Sequence, residues 1–374
     1  MYSNIVLFLN RFVNHYNDIR MSENRQNFSE EPIKSVCRIV FQYFDIQYCS
    51  ESQGMEVMRG IYIGVIAMLF FGMVLFPLFS MKKTVLPTKP ENPPIVTEPI
   101  SGETFKVKLT EQGKIIELSA KDYIYGVVCA EMPAEYSEEA LKAQAVAAYT
   151  FALYRKQENS GKEYDITDST TPDQAYMTDE AFKKREGSNY EVYKAKIKAA
   201  VDTVFGQVIT YEGQIVLPIF HDISGGKTES AEVLWGGSYP YLQPVESVGD
   251  LMNPDYLSEK AVTSDDFKSA LKEYNITFSG EPEGWIGDIK RSESGTVLTA
   301  EICGVSLKGS ELRTALSLRS ANFDVSCSDG SFRFSVRGHG HGVGMSQYGA
   351  QFMALQGSGY KEILKWYYKG CEIG

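Results

Sequence analysis

The sequence is poor in the patterns that mark several large function classes. Its six cysteines (Cys37, Cys49, Cys129, Cys303, Cys327 and Cys371) form no CxxC pair and are far too sparse in 374 residues for a disulfide scaffold. Cys303 and Cys327 could meet across a sheet, although isolated buried thiols fit the spacing better. Histidine is scarcer still, with four in all: His15, His221, His339 and His341. There is no long Lys/Arg run, and the formal net charge is −11. Neutralising phosphates needs clustered cations, so a nucleic-acid binder is excluded and neutral or weakly charged substrates fit better. A phosphate-binding loop is also missing. Gly226-Lys227-Thr228 resembles the end of one, but the position five residues before Gly226 is His221 rather than glycine. No internal repeat is visible.

What is present divides the chain. Hydrophobic residues make up 43% of it, enough for a sizeable core. Residues 1–57 are mixed and read as an N-terminal cytoplasmic segment, or as an extension upstream of a start at Met55 or Met58. Within 58–81 the stretch Gly60–Met81 runs 22 residues without a charge, long enough to span a bilayer as one helix. It is too long for a signal-peptide core and lacks a small-residue cleavage site, so it reads as an uncleaved transmembrane anchor. Arg59 precedes it and Lys82 and Lys83 follow, which leaves only a weak positive-inside bias. Residues 82–104 carry Pro87, Pro90, Pro93, Pro94 and Pro99 and describe an extended linker.

The folded domain is expected over 105–374. Phe105–Leu109 and Ile115–Leu118 flank Glu111-Gln112-Gly113 as a hairpin. Asp122 opens a short apolar turn or helix to Ala130, and Ser137 is a plausible N-cap for a helix over Glu138–Gln157 with Leu141, Ala145, Ala148, Tyr149 and Ala152 on one face. A polar loop over Asp165–Met177 leads to a helix over Asp179–Val204, broken at Gly187-Ser188. Gln207–Tyr211 and Ile215–His221 flank Glu212-Gly213 as a second hairpin. A surface helix over Asp265–Tyr274, strands near Trp285–Arg291 and Val297–Ile302, a short helix from Gly309 and a hairpin turned at Asp329-Gly330 follow. Tyr360–Tyr368 closes the domain as an amphipathic helix.

Three stretches carry candidate chemistry. Gly338-His339-Gly340-His341-Gly342-Val343-Gly344 places glycine at every second position, so backbone can approach backbone or ligand closely. Ser346 then reads as the N-cap of a helix. A shaped ligand loop and a tight crossing with a buried histidine are both compatible with this stretch. His339 and His341 with His221 could supply three zinc ligands; a histidine donating to substrate or buried within the domain is the better reading. Ser224-Gly225-Gly226-Lys227-Thr228-Glu229 offers hydroxyls and a carboxylate beside flexible backbone, or forms a polar turn. Glu131, in Val127-Val128-Cys129-Ala130-Glu131-Met132-Pro133, is an acid among apolar residues. Desolvation there raises a carboxyl pKa, as a general acid requires, whereas a carboxylate capping the next helix is the plain alternative.

Taken together, Tyr125–Pro133, Glu139–Ala148, Ser224–Glu229, Gly309–Arg313 and Gly340–Gln347 occur in one order over residues 105–374 and resemble the stage II sporulation protein D family. The anchor and proline-rich linker match that architecture. The resemblance implies an α+β ectodomain, a single globular unit of mixed sheets and helices with a substrate groove, preceded by one transmembrane helix. It also implies a lytic transglycosylase of peptidoglycan that cleaves the bond between N-acetylmuramic acid and N-acetylglucosamine with formation of a 1,6-anhydro ring, and Glu131 matches the catalytic glutamate. One carboxyl serving as acid and then base would explain why no second carboxylate is evident in the sequence. Ser224, Thr228, Glu229, His341, Ser346 and Gln347 are expected to position sugar.

Glycan strands already stripped of peptides, a sporulation amidase and a membrane scaffold protein of the engulfment complex are the implied partners. The implied location is the mother-cell membrane, single-pass, with the catalytic domain outside the cytoplasm facing the space around the forespore. The chain departs from the family at Val336 and His339, before the Gly-His-Gly core, where relatives usually carry an aromatic residue and another glycine. Some relatives hold zinc through Cys and His in the loop matching Asp165–Tyr176; here the loop offers neither, so no metal or other cofactor is expected. The rival readings are a non-catalytic glycan-binding scaffold that recruits wall hydrolases, and a zinc amidase using His221, His339 and His341.

Overall fold

The computed structural model describes residues 103–374. The expected anchor over 58–81, nearly all of the expected linker, Cys37 and Cys49 lie outside the described residues. Among the described residues no helix is long and apolar enough to cross a membrane.

Alternation sets the first sheet. In Thr104–Leu109 (β1) Phe105, Val107 and Leu109 are buried while Lys106 is exposed, and β1 pairs antiparallel with Lys114–Ser119 (β2). Ile166–Thr167 (β3) adds to β1 in parallel. Ser119 caps Ala120–Glu131 (α1), its Oγ accepting the Asp122 N–H at 3.1 Å. Ser119→Ala is expected to lower stability by about 1 kcal/mol in chemical denaturation, the usual contribution of such a cap. The helix is buried from Tyr123 to Cys129. It stops at Glu131 because Met132, which precedes Pro133, is held extended (φ −127°, ψ 144°). The apolar segment therefore delivers a carboxylate at its very end.

Glu138–Glu158 (α2) begins where the sequence indicates, but Ser137 makes no side-chain cap bond. Its backbone N–H donates instead to Gln351 Oε1 at 2.6 Å. The expected single buried face is also too narrow. Every residue from Ala143 to Ala152 is buried, because α2 runs through the middle of the domain and its alanines allow close packing from several sides. Asp179–Glu186 (α3) and Tyr190–Val204 (α4) are separated by a 3-10 turn at Gly187–Asn189, as expected.

The second hairpin is shorter than the sequence suggests. Ile209–Tyr211 (β4) pairs with Gln214–Ile215 (β5) on one edge and with the C-terminal strand Glu372–Ile373 on the other. Pro218 cannot donate to a ladder, and beyond it Phe220–His221 (β6) changes partner. Ala231–Trp235 (α5) follows. The chain then leaves the first core after Val245 and builds a second one before returning at Val343. This insertion comprises Leu257–Thr263 (β7), Ser264–Ala270 (α6), Ile286–Arg291 (β8), Val297–Ile302 (β9), Val305–Lys308 (β10), Gly309–Ala315 (α7), Phe323–Ser328 (β11) and Ser331–Arg337 (β12). Its two sheets run β10-β9-β8 and β11-β12-β7, and Phe267 stacks on Phe332 with centroids 4.3 Å apart. The domain is thus one unit with two hydrophobic cores.

Strands β7 and β10 are not evident in the sequence. The helix expected to reach Tyr274 ends at Ala270, with a 3-10 turn completing it. Cys129, Cys303, Cys327 and Cys371 are all free thiols; Cys303, at φ 46°, turns β9 into β10. After the insertion the glycine stretch leads to Met345–Ser346 (β13), Gln347–Leu355 (α8) and Tyr360–Tyr367 (α9). Strand β13 pairs in parallel with β6.

Candidate active site

The glycine stretch is the return crossing between the two cores, zipped onto the strand region 219–223. His339 N–H donates to Ile223 O at 2.7 Å and Ile223 N–H to His339 O at 3.0 Å, and Met345 N–H donates to Ile219 O at 3.0 Å. A Cβ on Gly344 would stand 1.9 Å from Ile219 O, and one on Gly338 2.6 Å from Ile223 O. The alternate glycines therefore buy backbone-to-backbone contact, and that contact fixes where β13 and α8 begin.

Ser346 performs the expected N-cap, accepting Gly349 N–H at 3.1 Å, and its hydroxyl donates to Asp250 Oδ1 at 2.7 Å. Asp250 Oδ2 accepts the Ser224 N–H at 2.9 Å and the Ser224 hydroxyl. Asp250 is thus a buried tie between the Ser224–Glu229 loop and the start of α8. Burial pushes its carboxyl above the ordinary aspartate value even though these donors pull the other way. Asp250→Asn replaces an acceptor by a donor opposite Ser224 and is expected to cost about 1–2 kcal/mol, read as a lower denaturation midpoint. Sequence reasoning missed Asp250, which has no motif around it.

Gln347, the first residue of α8, reaches Glu131. Its Nε2 donates to Glu131 Oε2 at 3.3 Å and to Gln144 Oε1 at 3.5 Å. The Ala175 N–H donates to Glu131 Oε1 at 2.7 Å. The loop bearing Ala175 is itself anchored. Gln174 Nε2 donates to Tyr123 Oη and Ala148 O at 3.2 Å each, and Asp173 accepts from Thr167 N–H at 2.9 Å and pairs with Arg155. Glu131 is consequently fixed from α1, from the loop after β3 and from α8, while remaining half-buried. Burial raises its pKa above the ordinary glutamate value. The Ala175 N–H and Gln347 offset this in part, and the charge of Asp222 raises it further.

Asp222 is the carboxylate the sequence did not disclose. It follows β6, and its backbone O accepts the Tyr348 N–H at 3.1 Å and lies 3.2 Å from Ser346 Oγ, which places it beside the first turn of α8. Its Oδ2 lies 2.7 Å from His339 Nδ1, with both side chains about two-fifths exposed (42% and 44%). Tyr348 packs edge-on to Tyr136 at 6.3 Å.

Of the six residues expected to position sugar, only Gln347 meets Glu131. Ser224, Thr228, Glu229 and Ser346 are buried, with polar atoms bonded inside the protein. Thr228 Oγ1 accepts Val245 N–H at 2.9 Å, and Glu229 Oε1 accepts the Ser292 hydroxyl at 2.5 Å. In this arrangement they shape the wall. His341 lies half-buried between His221 and the exposed Trp235, at centroid distances of 5.6 Å and 5.2 Å. The three histidines do not converge. His221 Nδ1 bonds to Val343 O at 3.0 Å, His341 Nδ1 accepts Val343 N–H at 3.1 Å, and His339 turns to Asp222. Burial holds His221 down at about 4 and lowers His341 too, assisted by His221 and Arg313. Among the described residues no three His, Cys, Asp or Glu side chains are grouped to hold a metal ion.

The site can therefore present one half-buried carboxyl, fixed on both oxygens, with a second carboxylate and two tyrosines nearby. Comparison with known proteins adds four observations. A family model described as stage II sporulation protein (SpoIID) matches residues 108–211, a span that includes Glu131. The chain is 37% identical over 296 residues to stage II sporulation protein D of Bacillus subtilis (strain 168), covering 78% of this chain and 85% of that protein. It is 36% identical over 294 residues to the protein of that name from Bacillus amyloliquefaciens, covering 78% and 83%. It is also 29% identical over 299 residues to an amidase enhancer of Bacillus subtilis (strain 168), covering 66% of this chain and 40% of that protein.

Proposed function

The chain belongs to the stage II sporulation protein D family, and from that premise we propose that it is a lytic transglycosylase of peptidoglycan with Glu131 as its acid and base. The observation that carries this reading is the placement of Glu131 at the end of a buried helix, fixed by Ala175 N–H and Gln347, with its pKa raised by burial. A carboxyl that keeps its proton can donate it to the glycosidic oxygen as the bond from C1 of N-acetylmuramic acid breaks. The resulting carboxylate takes the proton of the C6 hydroxyl while that oxygen bonds to C1. The ring closes as a 1,6-anhydro sugar, no water is added, and Glu131 ends as it began. Ala175 N–H and Gln347 Nε2 keep the carboxyl in one position through both transfers.

The proposed substrate is peptide-stripped glycan strands. The rest of the proposal follows the family premise: a single-pass anchor over 58–81, the described domain outside the cytoplasm, and a role in engulfment during sporulation. The name of one relative, amidase enhancer, fits a partnership with a wall amidase. The test is to incubate the full chain with peptide-free strands and analyse products by mass spectrometry. New anhydro-muramyl ends are expected. Strand binding without such ends would instead support a glycan-binding scaffold and overturn the catalytic reading.

A further inference from the structure

Near Glu131 lies an acid–imidazole pair, Asp222 and His339, that the mechanism above does not use. We propose that Asp222, held by His339, is a second functional carboxylate of this site, acting on glycan cleavage through Glu131; the inference rests on the transglycosylase reading. Three features of geometry support it. First, the Asp222 backbone and the Gln347 side chain are placed by the same turn of α8: the Tyr348 N–H binds the Asp222 carbonyl, and the neighbouring Gln347 holds Glu131. The Asp222 backbone and the Glu131 carboxyl are therefore tied to one short segment.

Second, Asp222 is oriented rather than loose. The carboxylate can only accept, so His339 Nδ1 donates to Oδ2 at 2.7 Å. Arg319 Nη2 lies 3.4 Å from the same nitrogen and Arg319 Nη1 is itself tied to Asp255 O at 3.1 Å. Third, the pair is partly open to solvent, unlike the buried His221 and Asp250.

The charged and titratable groups around the two carboxyls are His339 and Arg319 from the insertion and its return, His221 on β6, the buried Asp250, Tyr136 before α2, Tyr348 on α8 and Tyr123 on α1. Among them Asp222 is the group whose negative charge bears directly on Glu131. A nearby negative charge disfavours ionisation, so Asp222 holds the proton on Glu131 until the glycosidic oxygen takes it. As a group acting through Glu131, Asp222 is a positioning residue.

Asp222→Asn keeps an oxygen to accept from His339 but removes the charge. Carbon-13 carboxyl NMR on the full chain, with the Glu131 resonance assigned by its loss in Glu131→Gln, reads the effect without substrate. The Glu131 titration midpoint is expected to fall to lower pH in Asp222→Asn and to return in Asp222→Glu. With glycan strands, kcat is expected to drop about tenfold at pH 7.5 with KM little changed, and the basic limb of the pH–rate profile to move to lower pH. An unmoved Glu131 midpoint would overturn the proposal. If Asp222→Asn folds poorly by circular dichroism, Asp222→Ser is read in the same way. Absence of anhydro ends from the wild type would reject the transglycosylase reading instead, a result the titration does not depend on.

Discussion

Glu131→Gln should reduce formation of anhydro-muramyl ends by at least about a thousandfold while the protein stays as stable as wild type or becomes more so. The activity loss follows from asking one carboxyl to deliver and recover a proton, each transfer being worth orders of magnitude in rate. Glutamine has the same shape and can still accept the Ala175 N–H, but it has no proton of the right acidity. The stability effect follows from linkage. Glu131 has a folded-state pKa raised above its unfolded value, so the folded state binds its proton more tightly. Stability is then lost as pH rises from the unfolded value through the folded one. An amide cannot ionise and escapes that loss at neutral pH, as expected where function and stability compete. Thermal denaturation at pH 5 and pH 7.5 beside a mass-spectrometric product assay checks both halves. The variant's advantage should be larger at the higher pH, and a variant that lost activity only by unfolding would show a depressed midpoint at both.

Gly344→Ala is expected to lower stability by at least about 3 kcal/mol and to remove activity as well. Two effects add. Gly344 sits at φ 74°, where a side chain carries about 1–2 kcal/mol of strain. Its Cβ would also stand 1.9 Å from Ile219 O, and that oxygen accepts the Met345 N–H at 3.0 Å. Relieving the overlap means opening the β6–β13 pairing, which displaces Ser346 and Gln347 and so releases Glu131. Gly213→Ala is the natural control. Its φ is 72° but nothing lies within 4 Å of the new carbon, so only the strain of about 1 kcal/mol should register in chemical denaturation. Equal losses in the two variants would show that the close approach at Gly344 is not what matters.

Much of the local structure is legible in the chain. The alternation around Phe105 and Val107, the Ser346 cap, the helix break at Gly187 and the turn at Asp329-Gly330 are short-range signals, and short-range chemistry decides them. Glu131 is legible as well, because an acid ending an apolar run and preceding Met-Pro is conspicuous before any fold is known. The misses share a cause. The run Ile215–His221 looks like one strand, yet β6 pairs with a segment more than a hundred residues later, and nothing local declares such a partner. Ser224, Thr228 and Glu229 look like ligand-facing groups because they are polar and near glycine. Burial against Asp250, Val245 and Ser292 turns them into supports.

The sequence by itself determined the family, the helix that carries Glu131 and the glycine spacing that permits a tight crossing, since each depends on residues close together in the chain. Only the tertiary structure decided which groups meet at the site. It brought Gln347 and Ala175 onto the two oxygens of Glu131, placed Asp222 beside them and sent His339 and His341 to different partners. Those choices are made by an insertion with its own core and by the backbone contact that returns the chain from it, and long-range packing of this kind leaves no mark in the local order of residues.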